Sequence, residues 1–109
     1  MPASAVQVTT TVPTRGLADR IARTLVEERL AACVQVQGPV SSTYRWEGVV
    51  EQATEWYCHA KTTQPRLDRI VQRIRSLHPY ATPEIIALPL IGGLPEYLGW
   101  IAEAVGEEA

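Results

Sequence analysis

The chain has 109 residues, 46% hydrophobic and 20% charged, with a formal net charge of −2. That length supports one core, so a single domain over 1–109 is expected, and the mild charge lacks the basic face of a nucleic-acid binder. No apolar run approaches the ~20 residues of a helical membrane span. The start, MPASAVQVTTT, has neither the basic head nor the apolar centre of a signal peptide. Two cysteines in that context suit a reducing compartment, so a cytoplasmic location is expected.

Ala5 to Val12 alternates Val6, Val8, Thr10, Val12 and is rich in β-branched residues, which predicts a strand. Pro13 ends it and Thr14 is placed to cap a helix. Leu17, Ile21, Leu25 and Leu30, with Ala18, Ala22 and Val26 beside them, form that helix's apolar stripe.

Ala31 to Thr62 reads as one long β-hairpin turning at Glu47-Gly48, where Gly supplies a positive φ. Its arms exceed the usual strand of about 5–6 residues. The tip, with Tyr44, Trp46 and Val49, therefore projects beyond a small sheet towards a partner surface, most simply another copy. Uninterrupted pairing from the turn would put Val36 on one face with His59, although Val34 and Val36 match Trp56, Cys58 and Ala60 in polarity. A one-residue bulge at Gly38-Pro39 restores agreement, sets Val36 opposite Cys58 and makes the first arm an edge strand. In that register Cys33 and Cys58 point to opposite faces and do not form a disulfide, while Cys33, Gln35, His59 and Lys61 share a face.

Thr62-Thr63 and Pro65 then signal a helix start, and Leu67, Ile70, Val71, Ile74 and Leu77 give its stripe up to His78 and Pro79. Glu84 to Ile91 is an apolar strand whose Pro89 requires an edge or an irregularity. Gly92-Gly93 breaks the chain before a last helix, Leu94 to Val105, with Leu98, Ile101, Ala102 and Val105 on one side. Glu107, Glu108 and Ala109 are expected to fray. The order β-α-β-β-α-β plus a helix is an α+β, ferredoxin-like sandwich: two crossover helices on one face of an antiparallel sheet, the other face open. Apolar residues on both strand faces and two edges needing cover point to oligomers.

In this order, QVTTTVP, ADRIARTLVEERLAACVQV, STYRWEG, AKTT, HPYATPEIIALPL and PEYLGWI cover nearly the whole chain and resemble the CutA family of divalent-cation tolerance proteins. The resemblance implies a tight homotrimer shaped like the nitrogen-regulatory P-II trimers, in which neighbours complete one another's sheets. It brings no enzymatic reaction and a link to copper and other divalent metals. Some members carry Cys where this chain has Thr10 and a second His where it has Leu77.

Copper or zinc needs several convergent thiolate and imidazole donors. Here the candidates are Cys33 and His78, with His78 joined to a donor of another protomer; Cys58-His59 cannot chelate one ion, because neighbours in a strand point oppositely. Each has a structural alternative: His78 as a cation ending a helix, Cys33 as a small core or interface residue. Tyr44, Trp46, Tyr80 and Trp100 are either an aromatic pocket or interface packing. Glu55, Lys61 and Glu84 border apolar strands, so burial between subunits would force them to pair. Glu55, Lys61 and Glu84 with Tyr44 and Tyr80 are expected to form a polar cleft for an anionic or zwitterionic small molecule; Lys61, Tyr80, Glu84, Tyr44 and Trp46 are the expected ligand-binding residues, in clefts between subunits that also carry Cys33 and His78. No nucleophile with a base and oxyanion hole is visible, so the chain reads as a non-enzyme: a trimer handling divalent metal, or a P-II-like sensor of a small ligand or partner protein.

Overall fold

The computed structural model describes residues 4–106, so the expectation for Glu107, Glu108 and Ala109 lies outside it. The elements are β1 (Ala5–Val12), α1 (Arg15–Glu27), β2 (Cys33–Trp46), β3 (Val49–Thr63), a 3-10 turn (Gln64–Arg66), α2 (Leu67–Leu77), β4 (Ile85–Pro89) and α3 (Pro95–Ala104). The four strands lie in the order β2-β3-β1-β4, all neighbours antiparallel. Both Pro39 and Pro89 thus sit on edge strands, where a missing N–H breaks no interior ladder.

Local signals act as the sequence indicates. Thr14 Oγ1 accepts from Leu17 N–H at 3.1 Å, capping α1. α1 ends at Glu27, one turn earlier than its apolar stripe suggests. Arg29 takes a left-handed φ of 57°, and Leu30 N–H and Ala31 N–H both donate back to the Leu25 carbonyl. Leu30 therefore reaches the core from the exit turn and not from the helix.

The hairpin is the longest feature. Glu47 and Gly48 both have positive φ, 50° and 81°, the pairing that lets a two-residue turn follow the strands' twist. Val36 faces Cys58, and the register shifts between Gln37 and Val40, at the cis Gly38-Pro39 bond. β1 pairs with β3 only as far as Trp56. From Val40 and Glu55 outwards the hairpin is thus a two-stranded ribbon, and the molecule is 47 Å long but only 25 and 22 Å across.

Two cores flank the sheet. Val6, Val8, Val12, Cys58 and Ala60 pack against Ala18, Ile21 and Leu25 of α1 and Ile70 and Ile74 of α2. Alternate residues face the other side, where Ala5 and Ala32 pack with Ile101 and Val105. The face expected to be open is therefore covered at one end by α3. Arg66 Nη2 donates to the Val105 carbonyl at 2.7 Å, holding that helix's C-terminal end against the turn before α2.

Candidate functional site

The face of the sheet away from α1 and α2 carries a hydrogen-bonded belt between α3 and the loop after α2. At the α3 end, Cys33 lies opposite Lys61. Cys33 Sγ lies 3.3 Å from the Tyr97 hydroxyl and accepts from Gln35 Nε2 at 3.8 Å, while Lys61 Nζ donates to Gln35 Oε1. The bond to Cys33 and partial burial raise the Tyr97 phenol's pKa.

Mid-sheet, His59 Nε2 lies 2.9 Å from Gln37 Oε1, an acceptor, so the proton belongs on Nε2. Nδ1 then accepts from the Thr9 hydroxyl at 3.1 Å. Burial, and then the charge of Lys61, lower the His59 pKa.

At the far end, the 78–84 loop covers the place that β1 vacates beyond Val12. His78 Nε2 donates to the Thr11 carbonyl at 2.7 Å, and Nδ1 accepts from Tyr80 N–H at 3.2 Å. Both ring nitrogens are committed, so a metal at His78 must displace one of these bonds. Tyr80 Oη donates to Glu55 Oε2 at 3.0 Å. Glu55 is only 6% exposed. Burial, and then the Glu55 bond, push the Tyr80 phenol up to about 12, so at neutral pH it remains a donor.

The expected site residues fall into separate places. Tyr80 reaches Glu55 through its hydroxyl, whereas Tyr44 stands opposite Glu51, four residues further along the ribbon than Val40, the residue opposite Glu55. Lys61 is six residues further along β3 than Glu55, about 20 Å away at ~3.3 Å per residue. Trp46 lies at the hairpin tip, opposite Val49, a similar distance in the other direction. Glu84 is exposed just before β4. One protomer therefore cannot pair Glu55 with Lys61. Cys33 and His78 are likewise apart: His78 binds beside Thr11, whose partner Tyr57 lies four residues from Lys61 on β3, about 13 Å along the strand. Among the described residues no three His, Cys, Asp or Glu side chains converge as a metal site.

Both cysteines are free, as the register requires. Cys58 is buried, its thiol donating to the Ala18 carbonyl at 3.5 Å. Burial, with the Asp19 charge adding, pushes it up to about 11. Thr10, where some family members carry Cys, is fully buried on the helical side. A shallow groove between α1 and α2, crossed by the Arg73–Glu28 ion pair, holds none of the expected site residues.

The residues that sequence reasoning missed are Tyr97, Gln37 and Thr9. Strand alternation places Gln37 and Thr9 beside His59 once the sheet order is known; Tyr97 gives no such signal, because it comes from a separate helix.

Strand order β2-β3-β1-β4, with two crossover helices on one face, makes this an α+β ferredoxin-like domain with an extended β2–β3 hairpin. The family profile described as "CutA1 divalent ion tolerance protein" matches residues 6–104. The chain is 46% identical over 96 residues to the divalent-cation tolerance protein CutA of Thermus thermophilus, spanning 88% of this chain and 93% of that one. It is 37% identical over 103 residues to human protein CutA, spanning 94% of this chain but 58% of the human one. The crystal structure of CutA from Xylella fastidiosa superposes with a TM-score of 0.91 at 40% identity, covering 94% of this chain and 99% of that one. The chain belongs to the CutA1 divalent ion tolerance family.

Proposed function

We propose that the chain works as a non-enzymatic homotrimer in the cell's tolerance of divalent cations, copper above all. The metal is held between subunits by His78 and Cys33 of different copies. The observation that carries the assembly is the projecting ribbon. A lone two-stranded ribbon is marginal in water, yet this one displays Val49 and Val50 at 59% and 58% exposure, with Tyr44 and Trp46 beside them. The β4 edge adds exposed Ile86 and Leu88. Those surfaces suit burial against neighbouring copies. The dispersal of donors within one protomer favours a shared metal site over a private one.

Among the described residues the surroundings of the two thiols support the non-enzymatic reading: Cys58 is buried, and the side-chain partners of Cys33 are Tyr97 and Gln35. Two free thiols suit the cytoplasm. A second reading, a P-II-like sensor of a small ligand or partner protein without a metal, is favoured by the bond from Tyr80 to the buried Glu55. Light scattering after size exclusion tests the assembly. Three times the chain mass is expected, falling to a monomer when Trp46→Ala and Val50→Lys are combined. A stable, folded wild-type monomer contradicts the proposal.

A further inference from the structure

We infer that the Glu55 carboxylate, held by Tyr80, is a receptor for an organic cation, a guanidinium or primary ammonium group. This goes beyond the metal reading and uses neither of its proposed ligands. Four observations converge on it.

Glu55 is 6% exposed, and a buried carboxylate is costly unless paired. Among the described residues its hydrogen-bond partner is the Tyr80 hydroxyl, on Oε2. The ion pairs among the described residues are Arg15–Asp19, Arg23–Glu27 and Arg73–Glu28, and none reaches it. On this face of the projecting ribbon, read from the Val40↔Glu55 register to the turn, the charged side chains are Glu51 and Glu55, with no base. Finally, Tyr80 remains 39% exposed, offering ring surface to a cation that approaches Glu55.

An anionic or zwitterionic ligand is expected where Lys61 joins a cleft between subunits; within one protomer Lys61 is remote from Glu55. Without it the charge selects the opposite sign. A divalent metal is the poorer fit, since one carboxylate and a protonated phenol leave most of its coordination empty.

The cation has two sources, a small molecule or a Lys or Arg of a neighbouring copy, and one experiment separates them. The full-length protein is titrated calorimetrically with agmatine, and with N-butylurea as a neutral analogue, in amine-free buffer. Mass is followed by light scattering. Saturable agmatine binding, absent for N-butylurea and weakened at least tenfold by Glu55→Gln, supports a small-molecule cation. In that case Tyr80→Leu weakens it at least two- to fivefold, as loss of one exposed cation–π contact requires. No agmatine binding, but a Glu55→Gln assembly that dissociates at protein concentrations where wild type does not, supports a cation from a neighbouring copy. Agmatine binding equal in wild type and Glu55→Gln overturns the inference, as does a Glu55→Gln protein that matches wild type in mass where wild type binds no agmatine. If Glu55→Gln fails to fold, agmatine binding that Tyr80→Leu leaves unchanged overturns it.

Discussion

Replacing Gly38 with Ala tests the bulge that sets the hairpin's register. A Cβ built on Gly38 lies 2.6 Å from Trp56 Cδ1, 2.9 Å from its Cγ and 3.1 Å from the Glu55 carbonyl. The indole lies over the glycine and packs against the main core, so it cannot swing away without opening that core. Overpacking of this kind costs about 1–3 kcal/mol. The entropy gained by removing a glycine returns about 0.4–1 kcal/mol. A net loss on the order of 1–2 kcal/mol follows. With a urea slope of about 1–3 kcal/mol/M, the midpoint should fall by roughly 0.5–1 M, measured at one fixed protein concentration because assembly contributes to apparent stability. Trp fluorescence should shift as Trp56 is displaced. Gly16→Ala is the control: nothing lies within 4 Å of its built Cβ, in the first turn of α1. It should stabilise by about 0.5–1 kcal/mol. A Gly38→Ala protein as stable as wild type would refute the packing of Trp56 on the bulge.

Thr10→Val should stabilise the protein. The Thr10 hydroxyl is buried with no hydrogen-bond partner, so an isosteric methyl removes a desolvation penalty of about 1 kcal/mol; thermal melting should rise, and an unchanged or lower melting point would mean the hydroxyl is satisfied. His59 makes stability pH-dependent, because its folded pKa lies below the ordinary value. The unfolded chain takes the proton first, near the ordinary pKa of ~6.5, so stability should fall as pH drops through that window and level off below the folded value. His59→Gln should remove that part of the slope in urea titrations from pH 7.5 to 5, and an identical slope counts against the belt around His59. A thiol reagent should label Cys33 in the native state and reach Cys58 only on unfolding, because Cys58 is buried with a raised pKa. Two equally fast native thiols would contradict the core.

Much of this fold was legible because short-range chemistry determines it. The polarity of Val34, Val36, Cys58 and Ala60, taken with strict strand alternation, requires a bulge, and Gly38-Pro39 is where it falls. The same register separates Cys33 from Cys58. Periodicity identifies a helix's apolar stripe but not the sheet face it meets, so the packing of α3 against Ala5 and Ala32, and the arrival of Tyr97 at Cys33, were not readable. Positions within one protomer are another matter. The register places Lys61 six residues from Glu55, and position along the strand decides which side chains meet within one protomer. The bond from Tyr80 to Glu55 depends on the path of the 78–84 loop across the end of β1, which local propensity does not encode.

The most direct test of the divalent-metal reading is a calorimetric titration of the reduced, metal-free protein with Cu(I) and with Cu(II), beside His78→Ala and Cys33→Ser. The account predicts tight, saturable binding with a whole-number stoichiometry per assembly, lost in either variant. Weak binding indifferent to both substitutions would contradict it.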